Sequence, residues 1–174
     1  MKQIILVLAL IFGTNAVNAQ QDVITKHSGE VVIGKVVKLE EYTIVFKYAG
    51  EDAENTISKY AVEKIIYGIS GRLEEITEKI VINGEEDWNK VVILEDRGYI
   101  SGLKKGDEVR GKTGLVNFQT GNTGDKKAEK KLKMDAAKLG CQFILLTADK
   151  VTVGANSNAI GGSQAIKKGI GYKY

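Results

Sequence analysis

The chain has 174 residues, of which 43% are hydrophobic, and contains 25 Lys and Arg, 22 Asp and Glu, 20 Gly, one Cys and no Pro. A hydrophobic fraction this high, with charges of both signs, excludes a disordered chain, and a single Cys excludes an internal disulfide framework. The glycines follow no collagen period and no heptad pattern runs for long, so the sequence predicts a globular fold.

Residues 1–19 have the pattern of a secretory signal peptide. Lys2 precedes an apolar run at 4–12, which is shorter than the roughly 20 residues of a membrane-spanning helix. The segment then becomes polar and ends in Val17-Asn18-Ala19, as a cleavage site does. We expect cleavage after Ala19, a periplasmic or extracellular location, and no transmembrane segment in the mature chain. A buried N-terminal strand or helix is the alternative.

Residues 20–70 are predicted to form a small β domain. Short runs rich in β-branched and aromatic residues alternate with turn residues such as Ser28-Gly29, which is typical of strands joined by hairpins. We expect strands at 23–26, 31–39, 42–48, 56–58 and 62–67. Five strands in so short a segment match a small SH3-like or Sm-like barrel. A unit of this size needs support from the rest of the chain.

Residues 71–174 are predicted to form an α+β domain, an α/β sandwich of one long helix on an antiparallel or mixed sheet. Gly-Ile-Ser-Gly at 68–71 marks the boundary, and 73–75 is expected to be a connector. Asn83-Gly84 between apolar runs at 76–82 and 88–94 predicts a hairpin. The glycine-rich stretch 98–124 is expected to be a loop with short strands at 108–110 and 115–118, or a mobile functional segment.

A helix is predicted at 125–139, with Asp125 as its N-cap and Gly140 at its end. Apolar residues recur along it at helical spacing, which indicates one face packed on a sheet. Strands are expected at 143–148 and 165–174, separated by a polar loop at 154–163. The apolar residues of the predicted helix face are Ala128, Leu132, Ala136 and Leu139.

Charge is distributed unevenly along the chain. Residues 51–96 contain 12 acids and 5 bases, whereas 104–133 contain 9 bases and 4 acids. The two blocks either contact each other, within one molecule or between copies, or form separately solvated faces. Trp88 beside the acidic turn is a core or a binding residue. The candidate interaction surface comprises Glu85, Glu86, Asp87, Trp88, Lys126, Lys130 and Lys133.

Residues 106–113, Gly-Asp-Glu-Val-Arg-Gly-Lys-Thr, match the phosphate-loop pattern. Such a loop requires a buried strand before it and a helix after it, so that backbone N–H groups surround the phosphates. Neither flank has that pattern, and Asp107 and Glu108 place negative charge where phosphate would bind. Nucleotide binding at Lys112 is therefore a minor hypothesis.

Reactive side chains are scarce. His27 is the only histidine and Cys141 the only cysteine, and they fall in different predicted units, so neither a zinc site nor an imidazole–thiol pair is expected. Glu85-Glu86-Asp87 is either a weak calcium site or a solvated turn. Cys141 is interpreted as a buried small residue, with a reactive thiol as the alternative. We predict no catalytic residues, no metal and no cofactor.

Two segments resemble known families. Asp22-Val23-Ile24, Gly29 and Gly34-Lys35-Val36 resemble the opening of small β domains in exported bacterial proteins. The segment 132–146, with Ala-Ala-Lys-Leu-Gly-Cys at 136–141, is similar to heavy-metal-binding-like small α/β proteins and to envelope stress-sensing lipoproteins. The resemblance implies a cell-envelope setting, although the chain has neither their lipidation Cys nor a heavy-metal ligand set.

We therefore expect a non-catalytic envelope protein that binds an envelope partner or itself. The lysines of the predicted helix are not interleaved with aromatic residues and Arg is scarce, so nucleic acid is not an expected partner. Anionic glycan or lipid headgroups are weaker candidates. The alternative function is an envelope hydrolase that uses Ser or carboxylate residues of 98–124.

Overall fold

The computed structural model describes residues 21–113, 121–153 and 163–174. Within these ranges the chain is mostly β-strand, arranged as two sheets with one long helix, which confirms the α+β class. The predicted signal peptide, the expected strand at 115–118 and all but the last residue of the 154–163 loop lie outside the described residues.

The first sheet has six strands in the order β4-β3-β2-β1-β5-β6, and all neighbouring pairs are antiparallel. Its core contains Ile24, Ile44, Phe46, Val62 and Ile65, all nearly or fully buried. The five strands predicted in this region are confirmed. The strands are β1 (Asp22–Lys26), β2 (Val31–Leu39), β3 (Thr43–Tyr48), β4 (Glu54–Ser58), β5 (Val62–Ile66) and β6 (Leu73–Glu75).

The expected connector at 73–75 is instead strand β6, whose Leu73 pairs with Ile66. The glycines before it form a hairpin loop: the Gly71 N–H donates to the Tyr67 carbonyl, and Gly71 has a φ of 66°, a left-handed conformation that favours glycine. The turn signal at 68–71 is therefore a turn within the first sheet. The division of the chain into domains 20–70 and 71–174 stays a prediction.

The second sheet is mixed, with the order β7-β9-β10-β8. β7 is parallel to β9, and the other pairs are antiparallel. Helix α1 packs on it through buried Ala128, Leu132 and Ala136, so the prediction of one helix on a mixed sheet is confirmed. The elements are β7 (Val92–Leu94), β8 (Lys104–Lys112), α1 (Gly121–Lys138), β9 (Phe143–Val153) and β10 (Ser163–Lys173).

The hairpin predicted at Asn83-Gly84 is wrong. Residues 76–82 form no strand, and Glu85–Lys90 is a 3₁₀ turn. The backbone of 76–82 has partners elsewhere, since the Ile76 N–H donates to the Glu63 carbonyl and the Ile80 N–H to the Tyr174 hydroxyl. Strand β7 is consequently available to pair with β9.

The helix begins at Gly121, so the prediction of Asp125 as N-cap is wrong. Asp125 lies inside α1, and its carboxylate forms an ion pair of 2.8 Å with the buried Lys167 of β10. Gly140, with a φ of 68°, follows the helix as predicted. Leu139 is 37% exposed rather than part of the packed face, because it falls after the last helical turn.

Aromatic side chains join the two sheets. The ring of Tyr60, which follows β4, lies 5.4 Å from that of Phe143 on β9, and Tyr174 makes an edge contact of 5.4 Å with Phe143. The Tyr174 ring also lies 4.7 Å from that of His27 at the end of β1. The small first sheet is thus supported by the second, as its size predicted.

Gly111 permits the close approach of α1 to β8. A Cβ at this position would lie 1.9 Å from the Ala128 carbonyl oxygen and 2.7 Å from the Leu132 nitrogen, and backbone atoms of a helix cannot yield locally. We predict that Gly111→Ala lowers the free energy of unfolding by about 2 kcal/mol or more, the cost of overpacking, as measured by urea denaturation.

Gly84→Ala is the matched control, because its backbone is extended and a Cβ there meets nothing within 4 Å. We expect it to change stability by less than about 0.5 kcal/mol. Equal stabilities of the two variants would contradict this explanation of the helix packing.

Candidate functional site

The acidic turn and the basic helix of the predicted interaction surface meet within one molecule. Trp88 is half-buried against the core beneath α1, and the Lys130 ammonium lies 4.9 Å from the centre of its ring. Lys90, 2.7 Å away, lowers the pKa of Asp87, and the Asn83 N–H contributes to the same shift. The turn and the helix therefore meet through the Trp88 ring, while the pairing of the two charge blocks and the role of this surface in binding stay predictions.

The other predicted members of this surface differ in exposure. Glu85 and Glu86 border a shallow cleft with Trp88 and Lys130, Lys126 is exposed, and Lys133 lies 3.4 Å from Glu129 on its own helix.

Among the described residues, no group of three or more His, Cys, Asp and Glu is arranged to hold a metal ion.

The histidine and the cysteine lie in different surroundings. His27 is buried, with Nε2 2.9 Å from the Thr77 hydroxyl oxygen, and burial lowers its pKa. Cys141 is completely buried beside Gly106 and Gly171, and burial raises the pKa of its thiol. Both side chains serve as packing groups, and a high thiol pKa disfavours the nucleophilic thiolate.

The residues of the phosphate-loop pattern form strand β8 and its end. Gly111 lies against α1, the Gly106 backbone lies near Cys141, and the Thr113 hydroxyl accepts the Ala165 N–H at 3.0 Å. A phosphate site requires a loop that enters a helix, whereas these residues pair with β10 along a strand. Of the serine and carboxylate residues in 98–124 that the hydrolase alternative invokes, Asp107 and Glu108 are exposed on β8, and the Ser101 hydroxyl donates to the Thr56 carbonyl at 2.6 Å.

Two clefts that the sequence did not predict are present in the structure. A cleft of about 590 Å³ borders His27, Thr77 and Lys79. A second, of about 460 Å³, is lined by Tyr42, Tyr60, Tyr99, Glu95 and Asp96, with Ile93 and Leu94. The positions of these three tyrosines in the sequence contain no signal that they converge.

An aliphatic stripe crosses the outer face of the first sheet. Ile33 pairs with Val23, Val23 with Ile66, and Ile66 with Leu73, so four aliphatic residues lie in one row across β2, β1, β5 and β6. Ile33 and Leu73 are each 52% exposed and Ile66 is 37% exposed. Apolar residues on both faces of Val31-Val32-Ile33 are the sequence signal for this stripe.

No protein-family model matches the chain, and no curated protein or solved structure is significantly similar to it. Within the described residues, no helix has the length and apolar character needed to cross a membrane.

The buried imidazole predicts a pH dependence of stability. Burial favours the neutral form of His27 in the folded protein, while the unfolded chain protonates near pH 6.5. Below that pH the unfolded state therefore binds more protons than the folded state. The stability contributed by the neutral imidazole is complete above about pH 6.5 and is lost as the pH falls toward the lowered pKa of the folded protein.

We expect the free energy of unfolding of the wild type to fall more steeply between pH 7.5 and 5 than that of His27→Gln, which hydrogen-bonds but does not titrate. Urea denaturation across this range measures both slopes. Parallel slopes would show that His27 is equally protonated in the folded and unfolded states, which would contradict the lowered pKa.

Proposed function

We propose that this chain is an exported, non-catalytic protein of the cell envelope that acts by contact, with a second copy of itself or with another envelope protein. The signal-peptide pattern of residues 1–19 supports the location. The observation on which the contact function rests is the aliphatic stripe of Ile33, Val23, Ile66 and Leu73 on the solvent face of a sheet.

The stripe is a physical reason for association. The solvent face of an antiparallel sheet is usually polar, and contiguous exposed apolar surface marks interaction sites in soluble proteins. Burial of such surface contributes roughly 25 cal/mol per Å². Val31, 51% exposed, extends the same face along β2.

The form of the first sheet belongs to the same proposal. The order β4-β3-β2-β1-β5, the irregular register of β2 beyond Val36 and the 3₁₀ turn Lys59–Ala61 between β4 and β5 support an SH3-like or Sm-like unit. Barrels of this size serve many unrelated binding functions, so the assignment of function rests on the stripe. The likeness to exported β domains and to envelope lipoproteins supports the same setting.

The non-catalytic part of the proposal has independent support. The imidazole and the thiol are the side chains most suited to catalysis near neutral pH, and in this chain both are buried among packing contacts. Of the hydrolase alternative's residues in 98–124, Asp107 and Glu108 are solvent-exposed on a strand, and Ser101 donates its hydroxyl to the Thr56 carbonyl.

The test is the assembly state of the chain from residue 20 onward, measured by analytical ultracentrifugation between 50 and 500 mM salt. We expect self-association that persists or strengthens at high salt, because salt screens charge pairs but not apolar contacts. Ile33→Lys with Leu73→Lys should weaken it at least tenfold, about 1.4 kcal/mol. Val81→Lys, at a residue 54% exposed outside the stripe, is the control.

If the wild type is monomeric, crosslinking in intact cells tests whether the stripe instead contacts another envelope protein. Crosslinks to one envelope protein that disappear in the double variant, and remain with Val81→Lys, would support the proposal. A monomer with no crosslinks dependent on the stripe would overturn it.

A further inference from the structure

Three tyrosines converge where the two sheets meet. Tyr42 precedes β3, Tyr60 follows β4, and Tyr99 follows β7, and together they line the cleft of about 460 Å³. The rings of Tyr42 and Tyr99 lie 4.6 Å apart at an angle of 39°. Because the Tyr60 ring packs on the buried Phe143, this aromatic wall of the cleft is held in place by the core.

Carboxylates surround this wall. Glu95 and Asp96 line the cleft and are exposed. Glu41, through hydrogen bonding and charge, raises the pKa of Tyr42. Burial raises the pKa of Tyr99, and the charges of Asp96, Glu41 and Glu95 raise it further. The phenols of Tyr42 and Tyr99 are therefore neutral at physiological pH, and their rings lie beside carboxylates.

No lysine or arginine of the described residues lines this cleft. None of the ion pairs between described residues involves Glu41, Glu95 or Asp96. Asp96 accepts the Gly98 N–H at 2.6 Å through one oxygen, Oδ1. Aromatic faces and carboxylates without an internal cation form a receptor for a cation from outside the molecule.

Elsewhere in the same chain, a guanidinium is held by a tyrosine ring and a carboxylate. The Arg72 guanidinium lies 4.4 Å from the centre of the Tyr67 ring, and Arg72 forms a 2.8 Å ion pair with Glu74. Glu74 also accepts the Tyr67 hydroxyl at 2.8 Å. A tyrosine and a carboxylate thus hold a guanidinium on this protein's own surface.

We propose that the tyrosine cleft binds an arginine side chain of a protein partner. A guanidinium stacks on aromatic faces, is weakly hydrated, and donates to carboxylates in a planar fork. A lysine ammonium is more strongly hydrated and cannot stack in this way. The site shares no residue with the aliphatic stripe, so this inference goes beyond the proposed function and is tested separately from it.

The probe is the capped tripeptide Ac-Gly-Arg-Gly-NH₂, titrated into the wild-type protein while the tyrosine ring signals are followed by NMR. We expect saturable shifts of the Tyr42 and Tyr99 signals. The citrulline analogue, which has the same shape without charge, and the lysine analogue should each bind at least about fivefold more weakly.

Tyr99→Leu should weaken binding at least about fivefold through loss of an aromatic face. Glu95→Gln should weaken it about twofold or more and reduce its salt dependence, and it changes an exposed residue, so it keeps the test valid if Tyr99→Leu misfolds. The control Tyr48→Leu, at a tyrosine 40% exposed outside the cleft, should bind as the wild type does. Absence of saturable shifts, equal binding of the citrulline or lysine peptide, or unchanged binding by Glu95→Gln would overturn the proposal.

Discussion

The contact of Phe143 with Tyr60 and Tyr174 holds the two sheets together. Phe143 is completely buried on β9, with Tyr60 from the first sheet and Tyr174 from the chain end each 5.4 Å away. Tyr174 also packs on His27 and accepts the Ile80 N–H. One terminal side chain thus connects the end of β1, the segment 76–82 and β9. Without this contact the first sheet would depend on a core too small to be stable alone.

The same contact also positions one side of the tyrosine cleft, because Tyr60 packs on Phe143. The tyrosine cleft has Tyr42 and Tyr60 on one side and the region from Ile93 to Tyr99 on the other, so it exists only while the two sheets are docked. The aliphatic stripe belongs to the first sheet alone and would persist in any arrangement that keeps β1, β2, β5 and β6 paired.

Local patterns predicted the elements whose stability is local. Alternation identified β1 to β5 of the first sheet, although not β6, and apolar spacing identified α1 and its buried Leu132. The prediction failed where a distant partner competed: β7 pairs with β9, far along the chain, in preference to the hairpin signalled by Asn83-Gly84, and Asp125 pairs with Lys167 rather than capping the helix. The tyrosine cleft was not predicted for the same reason, since Tyr42 and Tyr99 meet only through tertiary packing.

Native-state hydrogen exchange measures most directly whether this aromatic contact makes the two sheets one cooperative unit. The expected result is that amides of β1 and β9 in the wild type exchange with the same global opening free energy. Tyr174→Ala should lower the opening free energies of the two strands by the same amount. In Tyr48→Ala, the opening free energies of β1 and β9 should remain equal to each other. If β1 in the wild type opened well below β9, or if Tyr174→Ala destabilised one sheet alone, the sheets would be independent and the central role of Phe143 would be wrong.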